Sequence, residues 1–275
     1  MSAKAKATEP GRAAGGRCEV TSWILNHGDC LDPVSGLASL ADRSVDHVIC
    51  DPPYGERTHT NHRVGSTAKY RGISASPSRA KEIGFDPLTP EQMRGCAEQF
   101  ARVANRWLIV FCEIEQASAW QSEIERVGLD YVRTGAWVKP GSTPQFSGDR
   151  PAVGFEAIVI AHRKGRKRWN GGGKHGMWTH PIVKPQTGER MHTTQKPLAL
   201  MCELVEDFTD AGDLILDPFA GSGTTGLAAR ILGRRFVGWE RDANYHAIAT
   251  RRINGDEAKP REEQPSLFGS IGGAP

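Results

Sequence analysis

Short apolar runs alternate with amphipathic stretches along the chain, and this alternation predicts strands that alternate with helices. The apolar runs predict strands at Asp46–Cys50, Trp107–Cys112, Tyr131–Val138, Phe155–Ala161, Leu214–Leu216 and Phe236–Trp239. Apolar residues at helical spacing predict helices at Pro90–Ala104, Ile114–Val127, Pro197–Thr209, Thr224–Leu232 and Asn244–Arg252. This order is typical of an α/β fold with a mainly parallel sheet.

Two polar segments interrupt the pattern. Gly55–Pro87 is rich in Ser, Arg, His and Gly, and Arg163–Met191 is basic and contains three consecutive glycines. Long irregular segments within a domain are usually functional or disordered. We therefore expect one folded domain with two irregular inserts, flanked by a disordered leader and a flexible tail. The expected ranges are 1–22 for the leader, 23–255 for the domain, 55–86 and 141–191 for the inserts, and 256–275 for the tail.

Length and composition exclude several classes of protein. The 275 residues suffice for one sizeable domain. No apolar run approaches the ~18 residues of a membrane helix, and the leader lacks the apolar core of a secretory signal. The six cysteines are scattered without a CxxC pair, so neither a disulfide framework nor a metal site is indicated. We expect a cytoplasmic, nucleoid-associated protein.

The net charge of +3 is small, but the charge is unevenly distributed. The segment from Arg133 to Lys196 contains twelve Lys and Arg residues but three Asp and Glu residues. Such an excess suits phosphate binding, and a solvated loop surface is the equally weighted alternative.

A glycine-rich turn follows the predicted strand Leu214–Leu216 and opens the next predicted helix. Its residues are Asp217, Pro218, Phe219, Ala220, Gly221, Ser222, Gly223 and Thr224. Glycines allow close approach of the backbone to a ligand, and a helix start offers unpaired N–H groups. Because no Lys follows the second glycine, the turn lacks the GK[ST] element of a P-loop. The next predicted strand ends at Glu240, at the spacing that presents a carboxylate to ribose hydroxyls; a helix cap is the alternative role.

The tetrapeptide Asp51-Pro52-Pro53-Tyr54 follows the predicted strand Asp46–Cys50, where open α/β sheets bind their ligands. Two prolines fix the backbone, so the Asp51 carboxylate and the Pro52 carbonyl form a rigid pair of acceptors beside the Tyr54 ring. Two acceptors and a stacking ring suit an exocyclic amine on a planar base. Accepting both N–H bonds exposes the lone pair of the amine and stabilises the positive charge that develops during attack on a methyl group. A proline-rich turn without chemistry is the alternative.

Together, Asp51–Tyr54 and Phe219–Gly223 resemble the amino-methylating DNA methyltransferases. Because the catalytic motif precedes the glycine turn, the chain resembles their circularly permuted beta group. Gly28–Leu31 is similar to the family segment whose Asp binds the adenine amino group of the cofactor. His192–Pro197 resembles the element that closes over the methionine end of the cofactor. Trp137–Lys139 and Gly154–Glu156 resemble strands near the target pocket.

The resemblance implies a Rossmann-like methyltransferase fold with a seven-stranded, mostly parallel sheet and a flipped target base. It implies S-adenosylmethionine as methyl donor, bound by Asp29, Cys30, Asp217, Phe219, Ala220, Gly221, Ser222, Gly223, Thr224, Glu240, Thr194 and Lys196. It implies catalysis by Asp51, Pro52, Pro53 and Tyr54. Within the family, Asp before Pro-Pro-Tyr favours N6 of adenine, and N4 of cytosine is the alternative.

Contacts with double-stranded DNA are expected from the inserts and the basic region. The candidates are Arg57, Arg63, Lys69, Arg71, Lys139, Arg163, Lys164, Arg166, Lys167 and Arg168, most of them as phosphate ligands. The short inserts favour a short target site and a homodimer. In the tail, Gln264–Phe268 resembles the peptide by which bacterial replication proteins dock on the sliding clamp.

Two further functions stay open. A DNA-binding module without catalysis would need the basic loops but neither Asp51 nor the glycine turn. RNA or protein amide methyltransferases carry related tetrapeptides, but they usually place the glycine turn before the catalytic motif.

Overall fold

A computed structural model describes residues 22–55, 86–142, 144, 151–183 and 195–256. This part of the chain forms eight strands and five α-helices. The strands are β1 (Trp23–His27), β2 (His47–Cys50), β3 (Trp107–Cys112), β4 (Asp130–Val138), β5 (Phe155–His162), β6 (Met177–Thr179), β7 (Leu214–Asp217) and β8 (Arg235–Glu240). The helices are α1 (Pro90–Val103), α2 (Ala117–Arg126), α3 (Leu198–Phe208), α4 (Thr224–Ile231) and α5 (Ala243–Asn254). Among these helices none is long and apolar enough to cross a membrane.

All eight strands join one sheet in the order β1-β8-β7-β2-β3-β5-β4-β6. The first five strands in this order run parallel to one another. β5 runs antiparallel to both of its neighbours, β3 and β4, and β6 runs parallel to β4. The carboxyl ends of β2 and β7 therefore lie side by side, at the edge where open α/β sheets bind ligands.

Helices cover both faces of the sheet because its central strands are apolar on both sides. Val48 and Cys50 of β2 pack into a core with α1 and α2, whereas Ile49 between them packs into a second core with α3, α4 and α5. Successive side chains of a strand point to opposite faces, so an uninterrupted apolar strand requires a helix layer on each side. The result is a three-layer α/β/α domain, and the predicted fold class is confirmed.

The sheet contains eight strands where the family resemblance implied seven. All six strands predicted from apolar runs are present, and the five predicted helices agree with the observed ones to within a few residues. The alternation of apolar and polar stretches did not predict β1 or β6. β1 is an edge strand whose residues are half-buried or exposed and whose apolar run is only three residues, Trp23–Leu25, and β6 is three residues long within a basic segment.

β6 is held in the sheet by its central residue, Trp178. The indole is 1% exposed, it packs against the ring of Phe208, and its Nε1 donates a hydrogen bond to Asp207 Oδ2 at 3.0 Å. Its neighbour Met177 is 62% exposed. One buried aromatic residue therefore fixes a strand that the polar sequence around it does not indicate.

We predict that Trp178→Ala lowers the free energy of unfolding by about 3–5 kcal/mol, because it leaves a large cavity and an unpaired Asp207 oxygen. Urea denaturation measures this, with Met177→Ala as the control on the same strand. The control should stay within about 0.5 kcal/mol of the parent protein. Equal losses for the two variants would show that β6 is not anchored by the indole.

Candidate active site

The two sequence motifs meet at one edge of the sheet. β2 leads into Asp51–Tyr54, and β7 leads into the glycine-rich turn. The strands are parallel neighbours, with His47 opposite Ile215 and Val48 opposite Leu216. The tetrapeptide and the turn, far apart in sequence, are therefore brought together by strand pairing.

Asp51 uses its two carboxylate oxygens differently. Oδ2 accepts a hydrogen bond from Lys196 Nζ at 2.5 Å. Oδ1 is buried and, within the described residues, has no hydrogen-bond partner. A buried polar atom without a partner is costly, and such atoms are concentrated at functional sites. Oδ1 is therefore an acceptor available to a ligand.

Glu156, at the start of β5, links Asp51 to the other side chains of the site. Its Oε2 accepts a hydrogen bond from Tyr54 OH at 2.5 Å and lies 3.1 Å from Lys196 Nζ. Its Oε1 accepts from Lys139 Nζ at 3.0 Å. Two carboxylates and two ammonium groups thus form one connected, largely buried cluster.

Aromatic rings surround the ammonium of Lys196. Lys196 Nζ lies 5.4 Å from the ring centroid of Tyr54, 5.1 Å from that of Phe111 and 5.7 Å from that of Trp137. Aromatic faces attract cations, most strongly where water is excluded. The rings and the two carboxylates together compensate for burial of the Lys196 charge.

Charges within this cluster determine its pKa values. Burial raises the pKa of Asp51, and Glu156 raises it further, while Lys196 opposes both. Burial also acts to raise the pKa of Glu156, but Lys196 and Lys139 prevail and hold it at about 2. Burial acts to lower the pKa of Lys196, but the two carboxylates prevail and raise it. Glu156 and Lys196 are therefore both charged at neutral pH.

The glycine-rich turn is shaped by Asp217 and by two glycines. Asp217 is buried, and its carboxylate accepts hydrogen bonds from Phe219 N at 3.0 Å and from Thr225 Oγ1 at 2.6 Å. Gly221 and Gly223 both have positive φ, and a Cβ on Gly223 would lie 2.8 Å from the Cβ of Ala249. Only glycine fits such a position without strain.

Arg252 of α5 supports the turn from beneath. Its buried Nη1 donates hydrogen bonds to Ser222 O at 2.6 Å, to Ser222 Oγ at 2.9 Å and to Thr224 Oγ1 at 3.2 Å. Ser222 and Thr224, predicted as cofactor ligands, thus make contacts within the protein that fix the turn. Ala220 is buried, and Phe219 is partly buried against the core on the α1 side.

Glu240 lies at the end of β8, next to the turn. Its Oε2 accepts from Gly221 N at 2.8 Å, and its Oε1 accepts from Asp242 N at 2.7 Å. Asp242, and not Glu240, caps α5, by accepting from Asn244 N and Tyr245 N. The alternative role of Glu240 as a helix cap is therefore not what the structure shows.

Asp29 and Cys30 follow β1, which pairs with β8 so that His27 lies opposite Glu240. Asp29 is exposed, and its Oδ1 accepts from Leu31 N at 2.8 Å. Cys30 is buried in the core, so its side chain supports this loop from within. The structure brings Asp29, Glu240 and the glycine turn to neighbouring strand ends.

Lys196 was predicted as a cofactor ligand, but its ammonium contacts Asp51 and Glu156. Thr194 of the same segment lies outside the described residues. Lys139 was predicted to bind DNA, but it is paired with Glu156, and its side chain is 13% exposed. Both lysines thus belong to the cluster around the tetrapeptide.

The basic residues 163–168 lie at the opposite edge of the sheet. Because β5 runs antiparallel to β3, its last residue, His162, pairs with Trp107, the first residue of β3. The guanidinium of Arg163 donates to the carbonyls of Ala101 and Ala104. The other four, Lys164, Arg166, Lys167 and Arg168, are exposed. Lys167 forms an ion pair with Asp130 at 2.6 Å, and Arg168 forms one with Asp210 at 3.2 Å.

The structure thus separates these five residues from Asp51. Their predicted role in DNA binding stays a prediction, now for a surface remote from the tetrapeptide. Four further candidates, Arg57, Arg63, Lys69 and Arg71, lie outside the described residues.

Glu156 was expected only as part of a segment near the target pocket, without a role of its own, and Arg252 was not expected in the site. Glu156 is the one carboxylate in the strand Phe155–His162, whose other residues are mostly apolar, and that isolation was an available signal. Arg252 gave no signal, because it lies among other polar residues in α5. Only its contact with the turn distinguishes it from neighbouring arginines.

Comparison with known proteins places these motifs in a family. A family model for DNA methylases matches residues 45–251. The chain belongs to the N6/N4 DNA methylase family. A relative of this methylase is the Type II methyltransferase M2.MboI of Moraxella bovis, 34% identical over 256 residues, which are 85% of this chain and 88% of the relative.

Solved structures share the fold of this methylase. The M1.HpyAVI–SAM complex has a TM-score of 0.62 at 24% identity and covers 84% of this chain and 99% of that one. The PvuII DNA methyltransferase, described as cytosine-N4-specific, has a TM-score of 0.63 at 15% identity and covers 85% of this chain and 87% of that one. The predicted beta-group family is confirmed, and S-adenosylmethionine is the methyl donor of that family.

We predict that Asp217 makes the methylase less stable as the pH rises from about 4 to 7. Burial raises its pKa from 3.8 to about 7, so the folded state favours the protonated form. Its contribution is complete below the unfolded pKa and is lost as the pH rises through the folded value. In urea denaturation across this range, Asp217→Asn should flatten the decline relative to the parent protein. An unchanged slope would contradict a protonated Asp217.

Proposed function

We propose that the chain transfers a methyl group from S-adenosylmethionine to the N6 amine of an adenine flipped out of double-stranded DNA. The observation that carries this proposal is the buried, unpartnered Oδ1 of Asp51 beside the Tyr54 ring, next to the glycine turn. A flipped base can donate a hydrogen bond from its amine to Asp51 and stack its ring on Tyr54. The nitrogen of the same amine, which accepts the methyl group, then faces a cofactor bound at the glycine turn.

The residues of the tetrapeptide prepare the amine for attack. The carboxylate of Asp51 accepts one N–H bond, and the rigid Pro52–Pro53 backbone presents the Pro52 carbonyl for the other. An amine that donates both bonds has its lone pair free, and the acceptors stabilise the charge that develops. The Tyr54 ring fixes the plane of the base, because Glu156 holds its hydroxyl. Extrusion of the base costs a few kcal/mol, which stacking of about 1–3 kcal/mol partly offsets.

The residues around the turn fit the implied cofactor. Glu240 keeps lone pairs for ribose hydroxyls while its carboxylate holds Gly221, and the exposed Asp29 can accept from an amino group. The positive φ of Gly221 and Gly223 keeps side chains away from this approach. When bound, S-adenosylmethionine supplies an electrophilic sulfonium methyl group.

Adenine is favoured by Asp at the first position of the tetrapeptide, in line with the pattern of the family. Cytosine N4 is the second candidate, because an amine on either base offers the same two N–H donors, and PvuII, with the same fold, is described as cytosine-N4-specific. The homodimer and the clamp peptide Gln264–Phe268 remain predictions from sequence; the peptide lies outside the described residues.

We predict that the purified protein forms N6-methyladenine in unmethylated DNA, detected by nucleoside mass spectrometry. Asp51→Ala should lower the rate by at least about 100-fold, because it removes an acceptor aligned with the developing charge. Circular dichroism and cofactor binding should confirm that the variant is folded. N4-methylcytosine would keep the mechanism and overturn the choice of base, and absence of any methylated base would contradict the proposed function.

We also predict that Glu240→Ala weakens cofactor binding about 10- to 100-fold, as expected for loss of a charge-assisted hydrogen bond. Isothermal titration with S-adenosylmethionine measures the dissociation constant. Glu206→Gln, on the exposed face of α3, is the matched control and should bind as the parent does. Unaltered affinity in Glu240→Ala would remove Glu240 from the cofactor site.

A further inference from the structure

The proposed reaction leaves one part of the site unexplained. Methyl transfer uses Asp51 and Tyr54, yet Glu156, Lys139 and Lys196 are packed with them at the same strand ends. Burying charged groups is costly unless they are paired. We therefore expect these charged residues to contribute to the function of the site.

Lys196 makes the two oxygens of the Asp51 carboxylate different. It occupies Oδ2 at 2.5 Å and leaves Oδ1 without a partner. A carboxylate bound through one oxygen cannot rotate freely, so Oδ1 is held in one direction. The same ammonium is a positive charge beside a carboxylate that must stay ionised to accept from an amine.

A single oxygen of Glu156 contacts both Lys196 and Tyr54. Oε2 lies 3.1 Å from Lys196 Nζ and accepts from Tyr54 OH at 2.5 Å. Glu156 thereby fixes to β5 both the proposed hydrogen-bond acceptor, Asp51 through Lys196, and the proposed stacking ring of Tyr54. Lys139 neutralises the other oxygen at 3.0 Å, so Glu156 remains charged.

Asp51 is surrounded by groups of both signs from several elements. Lys196 precedes α3, and Glu156 lies on β5 and is paired with Lys139, the residue after β4. Tyr54 is on the same loop, Cys50 and Cys112 end β2 and β3, and Asp217 ends β7. Lys196 is the cation that contacts Asp51 among the described residues, and Glu156 is the anion that holds that cation.

We infer that Lys196 and Glu156 are positioning residues of the target-base pocket: Lys196 keeps Asp51 ionised with Oδ1 directed at the amine, and Glu156 locks Lys196 and the Tyr54 ring in place. This inference rests on the proposed function for the identity of the amine. The ion-pair geometry itself is independent of that identity.

The test is a pair of variants that change the charge around Asp51 in opposite senses. The single-turnover rate should fall at low pH as Asp51 becomes protonated, and this fall is the acid limb of the pH–rate profile. Lys196→Met removes the cation that lowers the pKa of Asp51, so the acid limb should move to higher pH by about one unit or more. Glu156→Gln removes an anion that raises this pKa, so its acid limb should move to lower pH. Each variant should also lose about 10- to 100-fold in the plateau rate, the cost of one charged hydrogen bond.

Three controls separate positioning from damage to the fold. Tyr54→Phe keeps the ring and both lysines but removes a hydroxyl that lowers the pKa of Asp51 less than Lys196 does, so its acid limb should move to higher pH by less than that of Lys196→Met. Glu125→Gln, an exposed change of the same chemistry on α2, should alter neither the rate nor the acid limb. Cofactor affinity should be unchanged in Glu156→Gln, because Glu156 lies apart from the glycine turn and Glu240.

A second readout needs neither cofactor nor DNA. Carbon-13 NMR of the side-chain carboxyl of Asp51, assigned with Asp51→Asn, reports its titration in the free protein. The same opposite displacements in Lys196→Met and Glu156→Gln are expected. Displacements in one direction for both variants, or none, would overturn the inference even if methylation is observed. Opposite displacements with no methylation by the parent protein would instead retain the ion-pair arrangement and reject the proposed function.

Discussion

The pairing of β2 with β7 is the constraint on which the site depends. Asp46 N donates to Leu214 O at 2.9 Å, and Leu214 N donates to Asp46 Oδ2 at 2.8 Å, so the two strands are locked where they begin. Behind this point, the buried His47 binds Asp213 at 2.9 Å, and Asp213 also binds Arg106. Because these polar groups sit at the starts of the strands, the opposite ends are left free for Asp51 and the glycine turn.

The site combines two kinds of construction. The side proposed for the cofactor consists of glycine backbone with positive φ, in a turn that Arg252, Asp217 and Glu240 hold by hydrogen bonds. The side proposed for the base consists of paired charges, with Lys196 between Asp51 and Glu156. Each side contains its own buried carboxyl group whose pKa is raised by burial, Asp217 on the first and Asp51 on the second.

Local patterns predicted most of the fold and half of the site. Apolar runs such as Trp107–Cys112 predicted their strands because they are buried on both faces, and the turn at Phe219–Gly223 was recognisable from residue type and spacing alone. β6 was missed because a single indole, Trp178, holds it. Nothing in one short basic stretch shows that one tryptophan reaches Asp207.

Charged residues were harder to place, because their roles depend on strand direction. Lys139 and Arg163 both follow β-strands in a basic region, and from sequence both were expected to bind DNA. β4 ends at the edge of the sheet that holds Asp51 and β5 ends at the far edge, so Lys139 meets Glu156 whereas Arg163 meets the carbonyls of Ala101 and Ala104. The direction of β5 is a property of tertiary pairing and is not encoded in its own composition.

The antiparallel course of β5 also governs where the chain can change length. Glu156 is paired with Trp137 of β4, and its neighbour Phe155 is 41% exposed. Inserting one residue between Phe155 and Glu156, with the pairing of Phe155 kept, would turn the Glu156 carboxylate to the opposite face of the sheet, since adjacent strand residues face opposite sides. Insertions between β4 and β5 leave this pairing intact. The segment between these two strands can thus change in length and sequence while the arrangement of charges around Asp51 stays the same.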